Sequence, residues 1–211
     1  GKLMNISPLR ERLLERFLRY VKMDTQADPE STSYPSTEKQ LRLLELLRDE
    51  LLELGLSDVE MDKYGYVTAT LPSNVSKETP RVGFIAHVDT SPEMSGANVQ
   101  PLIHENYRGQ DLVLPNRPNT VIKPETNPEL ANQMGNTIIT ASGDTLLGAD
   151  NKSGVAAIMT ALEYLVSHPE IKRTCLRIAF TPDEEIGAGT KFFDIQNCPV
   201  FLLVSHSILW P

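Results

Sequence analysis

The run Val82-Gly83-Phe84-Ile85-Ala86 carries no polar side chain, and it constrains the fold more than any other stretch. Successive side chains of a strand point to opposite sides of its sheet, so a run without alternation suits a strand covered on both faces. Leu176 to Phe180 reads as a second buried strand. Such strands need helices over them, and the sequence supplies these. Behind Ser7-Pro8, a cap followed by a first-turn proline, Leu9, Leu13, Phe17 and Tyr20 recur at helical spacing to about Met23. Leu41, Leu44, Leu47, Leu51 and Leu54 mark a second helix, capped by Ser36 and stopped by Gly55, and Gly154 to Val166 a third. The pattern predicts an α/β fold, a central mixed and largely parallel sheet flanked by helices.

Shorter elements fill in around this frame. Val59–Met61 and Val67–Leu71 read as strands on either side of a Lys63-Tyr64-Gly65 turn. Thr137–Thr140 and Thr145–Leu147 read as two more strands, and Gly187–Phe193 as a short helix. Residues 91–135 are rich in Pro, Asn and Gly and read as a long excursion with little regular structure. Excursions of that length inside a compact domain are usually functional.

Length and charge limit the partners. The 211 residues suit one domain or at most two. Lys and Arg number 20 against 28 Asp and Glu, a net charge of −8 that argues against nucleic acid or an anionic membrane as partner. No stretch approaches the ~18 uninterrupted apolar residues of a membrane span. Cys175 and Cys198 lack CxxC or CxxH partners and read as reduced thiols. Gly1 to Asn5 show no apolar signal core, so the expected location is the cytoplasm.

Three polar clusters stand at the ends of strand candidates: His87-Val88-Asp89, Gly148-Ala149-Asp150-Asn151 and Asp183-Glu184-Glu185. Ligands gather at the carboxyl ends of strands in open α/β sheets. Histidine with carboxylates and no thiolate suits zinc, manganese or cobalt in a hydrolytic site. In an extended His-x-Asp the two side chains project to one side, and the carboxylate can hold the second ring nitrogen of a metal-bound imidazole. Taken alone, His87 also reads as a satisfied core histidine and Asp89 as a turn residue. Asp150 also reads as ordinary capping chemistry before a helix, although a carboxylate there can bridge two cations. Glu184-Glu185 also reads as an acidic loop; adjacent carboxylates after a buried strand otherwise call for a compensating cation or proton.

The strings Ala86-His87-Val88-Asp89-Thr90-Ser91-Pro92, Leu147-Gly148-Ala149-Asp150-Asn151-Lys152-Ser153-Gly154 and Phe180-Thr181-Pro182-Asp183-Glu184-Glu185-Ile186-Gly187 resemble the three signature segments of the peptidase T family. Leu14 to Phe17, Asp24-Thr25-Gln26 and Glu105 to Gly109 resemble it as well, so the match runs from about residue 9 to about residue 197. The resemblance implies a zinc aminopeptidase that releases the N-terminal residue of tripeptides. It implies two Zn2+ per complete site, with cobalt or manganese as alternatives. His87 would bind the first ion, Glu185 the second, and Asp150 would bridge them. Asp89 would orient His87, and Glu184 would be the general base. The Asp150–Asn151 peptide would be cis.

The resemblance places residues 1–211 as the amino-terminal portion of the catalytic domain, with 198–211 as a divergent or frameshifted tail. The family's inserted lid and dimerisation domain are expected to be absent from these residues, and a homodimer is implied only for the full-length family form. The family's Thr-x-Asp-Gly-Gly-like segment would follow the Glu pair, but Phe201 to Pro211 holds neither aspartate nor glycine. His206 is the one residue there with ligand chemistry. The chain alone is therefore expected to be inactive. Two other readings stay open: a related two-zinc dipeptidase or acylamino-acid deacylase, and a vestigial non-catalytic fragment.

Overall fold

The computed structural model describes residues 7–196 and, for the backbone, 202–205. Helix α1 (Ser7–Val21) and helix α2 (Lys39–Glu53) precede strands β1 (Ser57–Met61), β2 (Val67–Leu71) and β3 (Val82–His87). Then come β4 (Leu102–His104), β5 (Leu112–Leu114), β6 (Arg117–Ile122), α3 (Pro128–Ala131) and β7 (Ile138–Thr140). Helix α4 (Ala149–Ser167), β8 (Leu176–Thr181) and β9 (Leu202–Ser205) complete the order. The main sheet has the order β1-β2-β8-β3-β9. Its β1–β2 and β2–β8 ladders are antiparallel, and its β8–β3 and β3–β9 ladders parallel.

The core follows the apolar periodicity. Tyr20, Val21, Leu43, Leu44, Leu47, Leu51, Val155 and Met159 are buried together with Val67, Ala69, Ile178 and Phe180 of the sheet. Helix α2 packs on β1 and β2, α4 on β3, and α1 on α4. Consecutive residues of β8, from Ile178 to Thr181, are all buried, as expected for a central strand covered on both faces. Polar ties reinforce the helices. Arg16 is buried with Nη1 2.6 Å from Glu163 of α4 and donating to Thr160 Oγ1, and Glu50 of α2 accepts from Arg19 and Tyr20 of α1.

The structure departs from the sequence pattern in four places. Ser36 does not cap α2, which starts at Lys39 behind Glu38; the Ser36 hydroxyl instead donates to Asp183, 147 residues away. Thr145–Leu147 is not a strand, because its recorded backbone bond, Leu146 N–H to Ser95 O, belongs to no ladder. Gly187–Phe193 forms turns rather than a helix, opening with Gly187 at φ +73°. The 91–135 excursion holds the β5–β6 hairpin, α3, and β4 paired antiparallel to β7. β6 was masked by its exposed, polar residues, and β4 and β5 are only three residues each. The tail read over 198–211, with His206, lies outside the described residues apart from the backbone of β9. Among the described residues, no helix is long and apolar enough to cross a membrane.

Leu47 is fully buried between α2 and the sheet. Leu47→Ala should cost about 2–5 kcal/mol, the range for truncating a core leucine, read from the urea unfolding midpoint at unchanged m. A cost below about 1 kcal/mol would show that α2 does not cover the sheet.

Candidate metal centre

β3 and β8 are parallel neighbours in register, with His87 opposite Thr181. Both chains therefore leave the sheet on the same edge, roughly 4.8 Å apart. His87 is the last residue of β3, and Asp183-Glu184-Glu185 follow β8 directly. Asp150 arrives from the start of α4, where Gly148 takes a left-handed φ of +81° and Asp150 and Asn151 depart from helical angles. The Asp150–Asn151 peptide is cis.

The imidazole of His87 is buried, and both its nitrogens face oxygens. Nδ1 lies 3.0 Å from the Asp89 carbonyl and 3.2 Å from Asp89 Oδ1. Nε2 lies 3.1 Å from Asp150 Oδ1 and 3.6 Å from Glu184 Oε2. Burial disfavours the charged ring, but Asp89, Glu184 and Asp150 outweigh it and raise the His87 pKa to about 9. The carboxylates around the ring thus favour positive charge at this point.

Asp89 is fully buried and does more than face His87. Its Oδ1 accepts the Glu184 amide and its Oδ2 the Glu185 amide, each at 3.0 Å. The carboxylate that orients the imidazole therefore also fixes the turn bearing the glutamate pair. Loop 24–27 backs the same point, since Thr25 Oγ1 donates to Val88 O and the Thr90 amide to Thr25 O.

His87, Glu184 and Glu185 each offer a ligand atom, all within 4.8 Å of one another. Asp150 is not in that trio but reaches His87 Nε2 directly. Glu184 and Asp150 are half or more exposed, so the cluster opens to solvent. Burial raises the Glu185 pKa; His87 lowers it, while Asp150, Asp89 and Glu184 raise it further. A protein that gathers this much negative charge around one imidazole favours a cation there. The oxygen-and-imidazole donor set fits zinc, manganese or cobalt. A cleft of about 420 Å³ opens elsewhere, walled by Tyr64, Tyr66, Phe192 and Phe193, and none of the four clustered residues borders it.

The sequence reading assigned no role to two groups beside the cluster. Asp183 is fully buried and accepts from Ser36 and Gln40, contacts across 147 and 143 residues that no spacing could reveal. Lys152, on the first turn of α4, is also buried, and its ammonium donates to Met23 O at 2.6 Å. Burial lowers the Lys152 pKa to about 8, against the opposing charges of Asp24 and Asp89. Between pH 8 and 10.5 the unfolded chain keeps a proton that the folded chain releases, so this group makes stability rise with pH through that window. Urea unfolding in chelator at several pH values should show the stability of the parent relative to Lys152→Met rising with pH across that window. An equal rise in both proteins would remove Lys152 as its source.

Comparison with known proteins bears on these residues as a set. No family model matches the chain. Peptidase T of Listeria welshimeri is 53% identical over 188 residues, which cover 89% of this chain and 46% of that protein. Peptidase T of Geobacillus thermodenitrificans is 53% identical over 189 residues, covering 90% and 46%. The chain thus spans about half the length of the curated relatives it matches. Aminopeptidase PepT from Bacillus cereus superposes with a TM-score of 0.65 at 21% identity, over 93% of this chain and 43% of that one. A tripeptidase from Staphylococcus aureus gives 0.62 at 23%, over 92% and 42%. These two structures share the mixed α/β fold described above. At 53% identity over 188 residues, the chain is a homologue of the curated proteins named peptidase T, matched along less than half of their length.

Proposed function

We propose that the chain supplies the metal-binding and base-bearing part of an aminopeptidase that releases the N-terminal residue of tripeptides. One observation carries this reading: His87 is held by Asp89 on one ring nitrogen and faced by Asp150 and Glu184 on the other, beside Glu185. In this proposal His87, Asp150 and Glu185 would hold the metal ions, zinc first among them, with Asp150 shared between the two, and Asp89 orients His87. Cobalt or manganese would serve the same donor set. Bound ions in such a site polarise the scissile carbonyl and lower the pKa of water. Glu184 is exposed enough to meet substrate, and its carboxylate takes the proton of the attacking water and returns it to the leaving amine. Asp89 holds the Glu184 amide throughout, so the base keeps its place beside His87. The homologues named peptidase T support the substrate class. With this reading we propose a cytoplasmic setting, and a homodimer for the full-length form.

The assignment separates the two glutamates. Mn2+ titration of the chain should show binding lost in His87→Ala and Glu185→Ala and nearly intact in Glu184→Ala. In a chimera completed with the unmatched portion of a peptidase T relative, Glu184→Ala should lower tripeptide turnover by about 10²–10⁴-fold. Metal loss in Glu184→Ala equal to that in Glu185→Ala would exchange the two roles.

Cys198 to Pro211 contains no carboxylate, and we read this stretch as a departure from the family pattern. Metal affinity depends on a full coordination set. The 211-residue chain by itself should therefore show no tripeptide hydrolysis with added zinc, cobalt or manganese. Turnover that a chelator and Glu184→Ala both abolish would overturn this and make His206 the next residue to substitute.

A further inference from the structure

We propose that Ser36 and Gln40 are positioning residues for the metal centre, acting through Asp183 on the turn that carries Glu184 and Glu185. The proposal deepens the reading of the glutamates as ligand and base, and it rests on that reading for its consequence but not for its geometry.

Asp183 is a fully buried carboxylate with three donors. The Ser36 amide donates to Oδ2 at 2.6 Å, the Ser36 hydroxyl to Oδ1 at 2.6 Å, and Gln40 Nε2 to Oδ1 at 2.7 Å. Gln40 returns the contact, because its Oε1 accepts the Asp183 amide at 3.1 Å. Both main-chain and side-chain groups of Asp183 are therefore fixed by one short stretch at the entry to α2. Asp183 sits at φ +57°, in the left-handed region that a non-glycine residue holds only when its surroundings determine it. The turn begins at that point: Asp183 O accepts the Ala188 amide and Glu184 O the Gly187 amide.

The glutamate pair is thus clamped from two sides. Asp89 takes the Glu184 and Glu185 amides from the β3 side, and the Ser36–Gln40 pair takes Asp183 from the α2 side. One loop backs both clamps. Thr25 holds Val88 O beside Asp89, Thr37 Oγ1 donates to Gln26 O, and the Asp28 amide donates to Ser36 Oγ. Asp89 fixes the Glu184 and Glu185 amides, whereas Asp183 ahead of them takes its side-chain donors from Ser36 and Gln40. The α2 clamp sets the backbone at Asp183, and with it the direction in which both carboxylates point. The hydrogen bonds of Ser36 and Gln40 reach Asp183 and not His87, so their effect passes through the turn.

Hydrogen exchange by NMR on the full 211-residue chain, with Mn2+ titration beside it, tests this in Gln40→Met and Ser36→Ala, with Ser36→Thr as the conservative variant. The Glu184 and Glu185 amides should exchange about tenfold faster in the first two, the factor of one lost hydrogen bond, while strand amides of β3 and β8 stay near parent rates. Ser36→Thr, which keeps the hydroxyl, should restore slow exchange at the turn. Mn2+ affinity should fall about tenfold in Gln40→Met and Ser36→Ala if the same bond orients the ligands. Ser36→Ala removes a single donor to Asp183 and guards against a Gln40→Met chain that fails to fold. Acceleration spread equally over β3, β8 and the turn would reduce the pair to a structural role and overturn the proposal. Unchanged exchange at Glu184 and Glu185 would overturn it too. A parent chain that binds no Mn2+ would follow from its incomplete ligand set, and the exchange rates would then decide the positioning role by themselves.

Discussion

A carboxylate with no access to water must find donors inside the protein, and the site is organised by how Asp89 does so. It takes the His87 ring from its own strand and two amides from the turn after β8, residues 95 and 96 positions away. Leaving any of these unmade would strand a buried charge, which costs far more than an ordinary lost hydrogen bond. The imidazole direction and the glutamate positions are therefore not independent: one buried anion sets both. Asp183 repeats the device on the other side of the same turn, with Ser36 and Gln40 as its donors.

Sheet order makes this economical. β8 lies beside β3 and parallel to it, so their carboxyl ends open on one edge without any long loop to bring them together. The crossover between them contains α4, whose first turn delivers Asp150 to the same edge. A left-handed Gly148 allows the approach, and a Cβ there would press on Thr90 at 3.2 Å. Strand ends, helix start and turn thus converge because of a topology in which a helix joins parallel neighbours.

The electrostatics follow from the same packing. Asp89, Asp150, Glu184 and Glu185 surround one ring, and the ring answers with a pKa raised to about 9. Buried Lys152 sits behind them with its charge disfavoured by the lack of solvent. The negative charge lies on the open side, where Glu184 and Asp150 meet water. A divalent cation is the species that such a mouth would draw.

Much of this was legible in the residues. The unbroken apolar run Val82–Ala86 and the largely apolar Leu176–Phe180 announced two central strands, helical leucine spacing announced α2, and two of the three polar clusters stand at strand ends, while the Asp150 cluster opens α4 with no strand before it. Periodicity reports burial, and burial is what these elements share, so local pattern sufficed. Ser36 shows where it stopped sufficing: its hydroxyl looked like a cap but is spent on Asp183, a partner fixed only when α2 and β8 meet. The Gly187–Phe193 turns and the β5–β6 hairpin were missed for related reasons, since hydrogen bonds and short polar strands leave no hydrophobic period. The proposed metal chemistry rests on residue types, His with Asp and Glu and no thiolate, which the sequence displays directly. Asp89 facing His87 is a contact two residues long and readable as such; that Asp150 faces the other nitrogen, and which buried carboxylates hold the turn, was decided by tertiary packing, because those contacts join residues 63 to 147 positions apart.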